Sequence, residues 1–434
     1  MDRKKIIVKN ISYGVLFKLI NMGIVFTTIP ILLNYLEKEQ YGIWVTIFSI
    51  VNVVFFVDAG IGNGLKTRLS EALSLKNSPL AKTYISTAYI TISVISIIVF
   101  SIGVLLIYNI DMQALFNTNA LSSLELKNIL FITLLLITVS FVLNLYKSFY
   151  YANQQAAKVE LAMLVYQILI LVLILVLLKF YTRNLLLVAL TYGFSNILVG
   201  IIFTLLFFKK NKEISPRFDF FKKNKVKDLM SLSLAFFVIQ LCMIVIFTTD
   251  NLIITKLLGP KEVTNYEIVY RLFQVVITFS VLLQEPFWAL YTDAYQRKDF
   301  KWIKKTIIRL NKMFFIFILL VLLLYIVSED IIEMWIQRDI IISNNLILYI
   351  SLFVIVRVYG SIYMIFLNAI GKVKIQMWLY IFGAILNIPI SIYFVKHYNL
   401  GSSGVIIGSI FSILGLSIIL PIQSFKILKK NELY

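Results

Sequence analysis

The sequence predicts an all-α integral membrane protein with about twelve transmembrane helices, arranged in two six-helix bundles around a central cleft. Hydrophobic residues make up 60% of the 434 residues and charged residues only 15%, whereas soluble domains carry roughly 25% charged residues. Apolar stretches of about 20 residues or more recur along the whole chain. Lysine and arginine residues are concentrated in every second loop. Together these observations exclude an ordinary soluble protein.

Twelve stretches are long and apolar enough to cross a bilayer, which takes about 20 residues each. Lipid offers no hydrogen-bond partner to an exposed backbone, so each stretch is expected to be helical, and none shows the alternating pattern of a membrane β-strand. The predicted spans are residues 10–33, 41–60, 83–108, 126–150, 158–179, 184–208, 228–258, 264–291, 303–327, 341–370, 374–395 and 402–425.

The basic residues give the orientation of these spans. Of the 41 lysine and arginine residues, 30 lie on the side that holds both termini, 8 lie on the other side and three lie inside spans. The group of 30 includes Lys147, at the end of the fourth span. The positive-inside rule therefore predicts that both termini are cytoplasmic. The net charge of +19 then reflects topology and attraction to anionic lipid, and we expect no nucleic-acid partner.

A basic segment near the midpoint divides the chain into two halves of six spans each. We predict an N-terminal lobe at 1–208, a cytoplasmic linker at 209–227 and a C-terminal lobe at 228–434. A weak internal repeat supports this division, because the exit of the first span resembles the exit of the seventh. Each half holds an even number of spans, so the two halves would have the same orientation, related by an axis along the membrane normal.

Several kinds of chemistry are excluded by what the sequence lacks. A single cysteine, Cys242, and a single histidine, His397, rule out disulfide frameworks and Cys/His metal centres and leave no histidine base. The only Gly-Lys pair, Gly371-Lys372, has Phe366 where a nucleotide-binding loop needs its first glycine. We therefore expect neither an enzyme nor ATP hydrolysis, and no cofactor or metal beyond a coupling ion.

Two sequence motifs carry a family resemblance. The stretch Tyr41-Gly42-Ile43-Trp44 and the stretch Asp58-Ala59-Gly60-Ile61-Gly62-Asn63-Gly64 resemble the N-terminal signature of Wzx-type polysaccharide flippases. These belong to the multidrug/oligosaccharidyl-lipid/polysaccharide (MOP) superfamily, which also contains the MATE multidrug exporters and the lipid II flippase MurJ. The two additional spans expected of the lipid II branch are absent here.

The resemblance implies a function and a location. A Wzx-type flippase moves an undecaprenyl-diphosphate-linked oligosaccharide outward across the bacterial cytoplasmic (inner) membrane by alternating access, for surface polysaccharide such as O-antigen or capsule. Its partners would be the lipid-linked oligosaccharide, membrane lipids, and the polysaccharide polymerase and glycosyltransferases of the same pathway. The coupling ion, Na+ or H+, is left open.

Three basic residues inside spans are candidates for binding the substrate diphosphate, because an ionised side chain in a span is costly. These are Lys18, Arg271 and Arg357; guanidinium groups make bidentate contacts to phosphate, and lysine adds a point charge. Each has an alternative role. Lys18 could extend to the headgroups, Arg271 could pair with Glu267 one turn earlier, and Arg357 could belong to a buried structural pair.

Five acidic or amide residues are candidates for ion coupling: Asp58, Asp250, Asn251, Glu285 and Asn387. Asp250 and Asn251 lie toward the outer part of the seventh span, and Asn387 is expected at a similar depth. By resemblance to the lipid II branch, these three would suit a sodium site with oxygen ligands.

The other two acids have structural alternatives. Asp58 precedes three glycines at the end of the second span, where it could simply cap or turn the chain. Glu285 lies fourteen residues after Arg271 on one stripe of the helix, so it could pair with a base, or it could mark a kink with Pro286.

A cation-coupled multidrug exporter of the MATE type is the main alternative function. Such a protein would favour acidic residues in its cleft because its substrates are cations, and the three basic residues inside spans argue against it. A membrane enzyme is less consistent with the sequence, since a polymerase would have a large external loop and an acyltransferase a buried histidine.

Overall fold

The computed structural model describes residues 3–56, 60–230, 234–284, 286–337 and 342–432. Every regular element within these ranges is helical and none is a strand. Eleven stretches among the described residues are long and apolar enough to cross a membrane. The prediction of an all-α multi-pass membrane protein is confirmed.

The first of these stretches accounts for two predicted spans. Ser12–Phe55 is 44 residues long and overlaps both 10–33 and 41–60. It is interrupted at Glu37, whose backbone angles (φ 60°, ψ 172°) are not helical. Eleven stretches therefore correspond to the twelve predicted spans.

The side chains around Glu37 hold this bend in place. A non-glycine residue in this backbone region costs on the order of 1–3 kcal/mol and persists only where its surroundings fix it. The Glu37 carboxylate forms an ion pair with Arg183, and the Glu39 carboxylate accepts a hydrogen bond of 2.5 Å from the Thr118 hydroxyl. Two acids that are two residues apart in the chain are thus tied to two different loops.

The chain forms two compact units, Met1–Phe237 and Val238–Tyr434, so the predicted linker lies within the first unit. The helices of the first unit are α1 (Arg3–Asn52), α2 (Ile61–Ser74), α3 (Ser78–Asn109), α4 (Met112–Phe116), α5 (Ser123–Leu143), α6 (Tyr146–Ala152), α7 (Ala156–Phe180), α8 (Leu185–Lys210) and α9 (Lys223–Met230).

The fourth predicted span is one membrane-spanning stretch, Ser123–Ala152, whose helix is interrupted by a turn near its end. Helix α5 ends at Leu143 and α6 begins at Tyr146, with a turn at Asn144–Leu145 between them. Helix α6 is anchored to α8 because the Tyr150 hydroxyl donates a hydrogen bond of 3.1 Å to the Phe203 carbonyl. This turn fixes the direction in which the side chains at the start of α6 project.

The second unit contains the remaining long helices. They are α10 (Leu234–Leu258), α11 (Pro260–Gln284), α12 (Phe287–Gln296), α13 (Phe300–Ile336), α14 (Asn344–Ala369), α15 (Lys374–His397) and α16 (Ser402–Glu432). The predicted span 264–291 was too long at its end. Its helix stops at Gln284, and a separate helix starts after Pro286, since proline removes a backbone donor and interrupts a continuous helix.

Helices α15 and α16 pack with their backbones in close contact. The spacing of Gly404 and Gly408 predicts such packing, because small residues one turn apart let two membrane helices approach. A Cβ atom added at Gly408 would lie 2.9 Å from the Ser391 backbone nitrogen, and one at Gly404 would lie 2.8 Å from that of Val395. The glycines therefore bring α15 and α16 together at the depth of Asn387.

We predict that Gly408→Val destabilises the second unit. The added methyl groups have no space, and overpacking typically costs about 1–3 kcal/mol. The measurement is thermal unfolding in detergent. Gly23→Ala is the matched control, since no atom lies within 4 Å of a Cβ at Gly23; equal melting temperatures for the two variants would contradict the close packing.

Candidate functional site

Arg357 lines a cavity inside the second unit. The cavity has a volume of about 180 Å³ and also contacts Ser361, Tyr380 and Ser417. The Arg357 guanidinium lies 4.3 Å from the ring centroid of Phe247, in the geometry of a cation–π contact.

The neighbours of Arg357 leave its charge uncompensated within the described residues. Its guanidinium donates a hydrogen bond of 3.2 Å to the Tyr270 hydroxyl. No carboxylate among the residues with described positions forms an ion pair with it. The described residues therefore do not contain the buried ion pair that was the alternative role for Arg357. The guanidinium is available to an anion that enters the cavity.

Arg271 is held differently. Its Nε atom lies 3.0 Å from the Glu267 carboxylate, and its guanidinium donates a further hydrogen bond of 3.1 Å to the Gln274 side chain. The Glu267 side chain is only 8% exposed and that of Arg271 is 38% exposed. The i,i+4 pair proposed as an alternative is thus present, and Arg271 is not among the residues that line the Arg357 cavity.

Lys18 belongs to the first unit and lies half-buried on α1. The spacing of Lys18, Asn21 and Thr28 places them on one polar face of α1. At its far end Thr28 is buried, and the Gln167 amide of α7 donates a hydrogen bond of 3.5 Å to the Thr28 hydroxyl. At that end the polar face contributes to packing between α1 and α7.

Two of the predicted ion-coupling residues meet through a shared serine. Asp250 is 5% exposed, and its carboxylate accepts hydrogen bonds of 2.7 Å from the Tyr266 hydroxyl and 3.1 Å from the Ser409 hydroxyl. The Asn387 amide donates to the same Ser409 hydroxyl at 3.2 Å and to Ser412 at 3.2 Å. Residues far apart in the sequence are therefore gathered from α10, α11, α15 and α16.

Asn251, the third member of the predicted set, faces a different partner. Its amide donates a hydrogen bond of 2.9 Å to the Glu267 carboxylate, which is the same group that pairs with Arg271. Adjacent residues of α10 thus contact two different acidic clusters. One cluster includes a cation, and in the other the Asp250 carboxylate is hydrogen-bonded to hydroxyl groups, one of which also accepts from an amide.

The Asp250 cluster has the chemistry of a site for a proton or a small hard cation. A buried carboxylate is costly when ionised unless a positive group or a bound cation compensates it. Hydroxyl, amide and carboxylate oxygens are the ligand types that hard cations prefer. Among the described residues no group of three or more His, Cys, Asp or Glu side chains could hold a metal ion, so a transition-metal centre is not indicated there.

The other two predicted coupling residues, Asp58 and Glu285, lie outside the described residues. Their roles stay predictions.

One basic residue of the candidate site was not recognised from the sequence. Lys147 was counted with the loop charges at the end of the fourth span, but the turn before α6 directs it to the lining of a cavity of about 180 Å³ in the first unit. The Lys147 side chain makes no ion pair or hydrogen bond with the described residues. Glu160 is the acid whose charge interacts with it. The sequence feature that could have drawn attention to Lys147 is Asn144, a polar residue three positions earlier in the same apolar span.

The Lys147 cavity is rich in amides and aromatic rings. The polar lining residues other than Lys147 carry neutral side chains, and the aromatic ones come from α1, the short turn after it, α6, α7 and α8. Its lining includes Asn52, Asn144 and Asn196 together with Trp44, Phe48, Tyr166 and Tyr192. Each unit therefore contains a cavity with a basic side chain in its wall.

Comparisons with known proteins agree with this architecture. The family model described as "Polysaccharide biosynthesis protein" matches residues 7–283, and the model described as "MatE" matches residues 235–393. A Salmonella typhimurium (strain LT2) protein named "Putative O-antigen transporter" is 26% identical over 190 residues. That match covers 42% of this chain, and the chain spans 42% of the length of that curated relative.

Solved structures with the same fold cover nearly the whole chain. An inward-facing MATE family multidrug resistance transporter of the MOP superfamily has a TM-score of 0.77 and 15% identity, over 96% of this chain and 95% of its own. A MOP superfamily transporter from Pyrococcus furiosus Vc1, described with a binding pocket of reverse polarity, has a TM-score of 0.65 and 15% identity, over 100% and 97%.

The membrane fold is that of a membrane transporter of the MOP superfamily. The family model that matches residues 7–283 covers more than half of the sequence. The chain belongs to the polysaccharide biosynthesis protein family, and the resemblance to Wzx-type flippases is confirmed. This is a family of transporters rather than of catalytic enzymes.

We predict that Tyr266→Phe lowers the stability of the second unit. The substitution removes the hydroxyl that donates to the buried Asp250 carboxylate, and leaving a buried group short of a partner costs about 1–3 kcal/mol. Thermal unfolding in detergent measures the effect. Tyr393→Phe, at a half-exposed position on α15, is the control, and an unchanged melting temperature for Tyr266→Phe would show that this hydrogen bond is unimportant.

Proposed function

We propose that this protein translocates an undecaprenyl-diphosphate-linked oligosaccharide across the bacterial cytoplasmic (inner) membrane for the synthesis of a surface polysaccharide. The family and the O-antigen relative support this substrate class. The observation that carries the proposal is the Arg357 guanidinium, which faces a cavity inside the membrane without a carboxylate partner among the described residues. A diphosphate would supply the missing negative charge.

The basic residues then divide into two that are proposed to contact the substrate and two that remain candidates. Arg357 and Lys147 each line a cavity, so both are proposed to contact the anionic part of the substrate. Lys18 remains a candidate contact from α1. Arg271 is also a candidate, but its contact with an anion would have to compete with Glu267 for the same guanidinium.

Substrate movement is proposed to occur by alternating access driven by an ion gradient. The Asp250 cluster would bind the coupling ion, Na+ or H+, because its carboxylate is surrounded by neutral oxygen and amide groups. Asn387 acts there through Ser409, and Asn251 is proposed to link this cluster to the Glu267–Arg271 pair. Asp58 and Glu285 stay candidates for the same role. The protein would need no other cofactor.

The cellular setting follows from the same proposal. The positive-inside rule supports cytoplasmic termini, so the substrate would be taken up where glycosyltransferases assemble it. The translocated product would pass to a polysaccharide polymerase. Membrane lipids would surround the apolar helices, and no enzymatic step is assigned to this chain.

A cation-coupled drug exporter of the MATE type is the second candidate function. It is favoured by the match of the MatE family model to residues 235–393 and by the buried Asp250. The basic side chain that lines a cavity in each unit favours an anionic substrate instead.

The deciding measurement is the amount of undecaprenyl-diphosphate-linked oligosaccharide in cells depleted of the protein, compared with wild-type cells. Accumulation of the lipid with loss of surface polysaccharide is the expected result. Unchanged lipid with increased retention of cationic dyes would identify the drug exporter.

Substitutions in the two cavities test the anion contacts. We predict that Arg357→Ala and Lys147→Ala each reduce translocation about tenfold or more, because each removes a charge-assisted interaction. Arg357→Lys should keep part of the activity, since it keeps the charge but loses the bidentate geometry. Arg297→Gln is the control, because Arg297 is exposed and pairs with Asp293.

Protein levels in the membrane must be equal for this comparison. Full surface polysaccharide in both alanine variants at normal expression would contradict the proposed diphosphate contacts. Arg271 is better tested as Arg271→Gln combined with Glu267→Gln, because removing the arginine alone would leave a buried carboxylate without its cation.

The ion site makes a separate prediction. Asp250→Asn should abolish the dependence of transport on an imposed Na+ or H+ gradient while leaving exchange without a gradient, because the amide keeps the shape but not the charge. Proteoliposomes with each gradient in turn measure this. The control is Asp293→Asn at an exposed position; gradient-driven transport that persists in Asp250→Asn would place the coupling ion elsewhere.

A further inference from the structure

The basic segment after α8 is attached to the side of α3. The Arg217 backbone amide donates a hydrogen bond of 3.0 Å to the Ser86 hydroxyl, and the Lys222 backbone amide donates one of 3.2 Å to the Thr87 hydroxyl. The Lys82 ammonium lies 4.7 Å from the centroid of the Phe220 ring. These contacts fix residues 217–222 against the basic end of a transmembrane helix.

This attachment creates an open groove of about 460 Å³ between the segment and α3. Its α3 wall is mostly apolar, and the segment contributes Pro216, Arg217 and Phe218. Val94 and Ile97 in the wall are 52% and 65% exposed. The groove therefore opens to the lipid phase rather than to the interior of the unit.

The length of the groove matches one leaflet of a bilayer. Its α3 wall runs from Ser86 to Ile97, which corresponds to about 16 Å along a helix that rises 1.5 Å per residue. A hydrocarbon core is about 30 Å thick. The groove thus starts near the basic end of α3 and ends at about the middle of the membrane.

A positive charge stands at the mouth of this groove. The Arg217 guanidinium makes no ion pair or hydrogen bond with the side chains that the structure describes. By contrast, the Lys225 ammonium is already engaged, since it lies 2.9 Å from the Asp228 carboxylate and its hydrogen bond lowers the pKa of Asp228. Phe218, beside Arg217, is 86% exposed, which suits an aromatic ring at a membrane interface.

We propose that this groove binds one anionic phospholipid from the leaflet adjacent to the segment. One acyl chain would lie along Tyr89, Val94 and Ile97, and the phosphate would contact the Arg217 guanidinium. Arginine binds phosphate oxygens in a bidentate manner, and clustered basic residues near a membrane surface attract anionic lipid. The bound lipid would hold the basic segment on the first unit.

The shape and charge of the groove favour this occupant over others. A helix from a partner protein would need an apolar surface across both leaflets, and the groove covers one. Free phosphate would make no use of the apolar wall. A zwitterionic lipid carries no net charge to compensate Arg217.

Lipid retention tests the proposal directly. The full-length protein is reconstituted in nanodiscs of phosphatidylglycerol and phosphatidylcholine in equal amounts, extracted into mild detergent and analysed by native mass spectrometry. The wild-type protein should retain one phosphatidylglycerol molecule in preference to phosphatidylcholine. R217Q should reduce that retention about tenfold.

Two further variants test the headgroup contact and the acyl-chain contact separately. Lys212→Gln removes a charge from the same segment outside the groove and should retain phosphatidylglycerol as the wild type does. Val94→Trp fills the apolar wall at an exposed position and should reduce the retention of the lipid. Melting temperatures equal to that of the wild type show that both variants are folded.

Four outcomes would overturn the proposal. The first is equal retention of the two lipids by the wild type, and the second is unchanged retention by R217Q. The third is full retention by Val94→Trp, which would indicate a headgroup contact without a groove. If added polyprenyl phosphate displaces the phospholipid at equal concentration, the occupant is the lipid carrier and the assignment to a phospholipid is wrong.

Discussion

Hydrocarbon cannot compensate a charged side chain, so each ionised group within a span needs a partner from the protein, from a ligand or from a bound ion. The chain satisfies this constraint in two ways. Arg271 and Glu267 neutralise each other on one helix. Arg357, Lys147 and Asp250 have no group of opposite charge paired with them among the described residues, and these are the positions where a transported molecule or ion could complete the balance.

The fold was largely predictable because its strongest determinant, the order of apolar and basic segments along the chain, can be read from the sequence directly. Length and hydropathy identify spans, and the distribution of lysine residues orders them, so neither step needs a three-dimensional contact. The structure departs from the predicted continuous helices where backbone geometry intervenes: the turn at Asn144–Leu145 interrupts the helix of one span, and Pro286 separates α11 from α12. Hydropathy is insensitive to both features.

The candidate site was less predictable because it depends on which side chains share a cavity. The sequence identified Asp250 and Asn387 as candidates but gave no reason to select Ser409. The Ser409 hydroxyl joins the two residues by hydrogen bonds. It also identified Arg357 from its depth in a span. Lys147 was missed because its position near the end of a span resembles that of an ordinary loop charge, and only the turn before α6 reveals where it points.

The bend at Glu37 has a consequence for how sequences of this family can diverge. The conformation there is one that glycine adopts freely, and a single codon change converts a glutamate into a glycine. Such a change would relieve backbone strain while discarding the Arg183 ion pair, so the two effects oppose each other. The gain and the loss partly cancel, so the stability of the bend alone does not require a glutamate at this position.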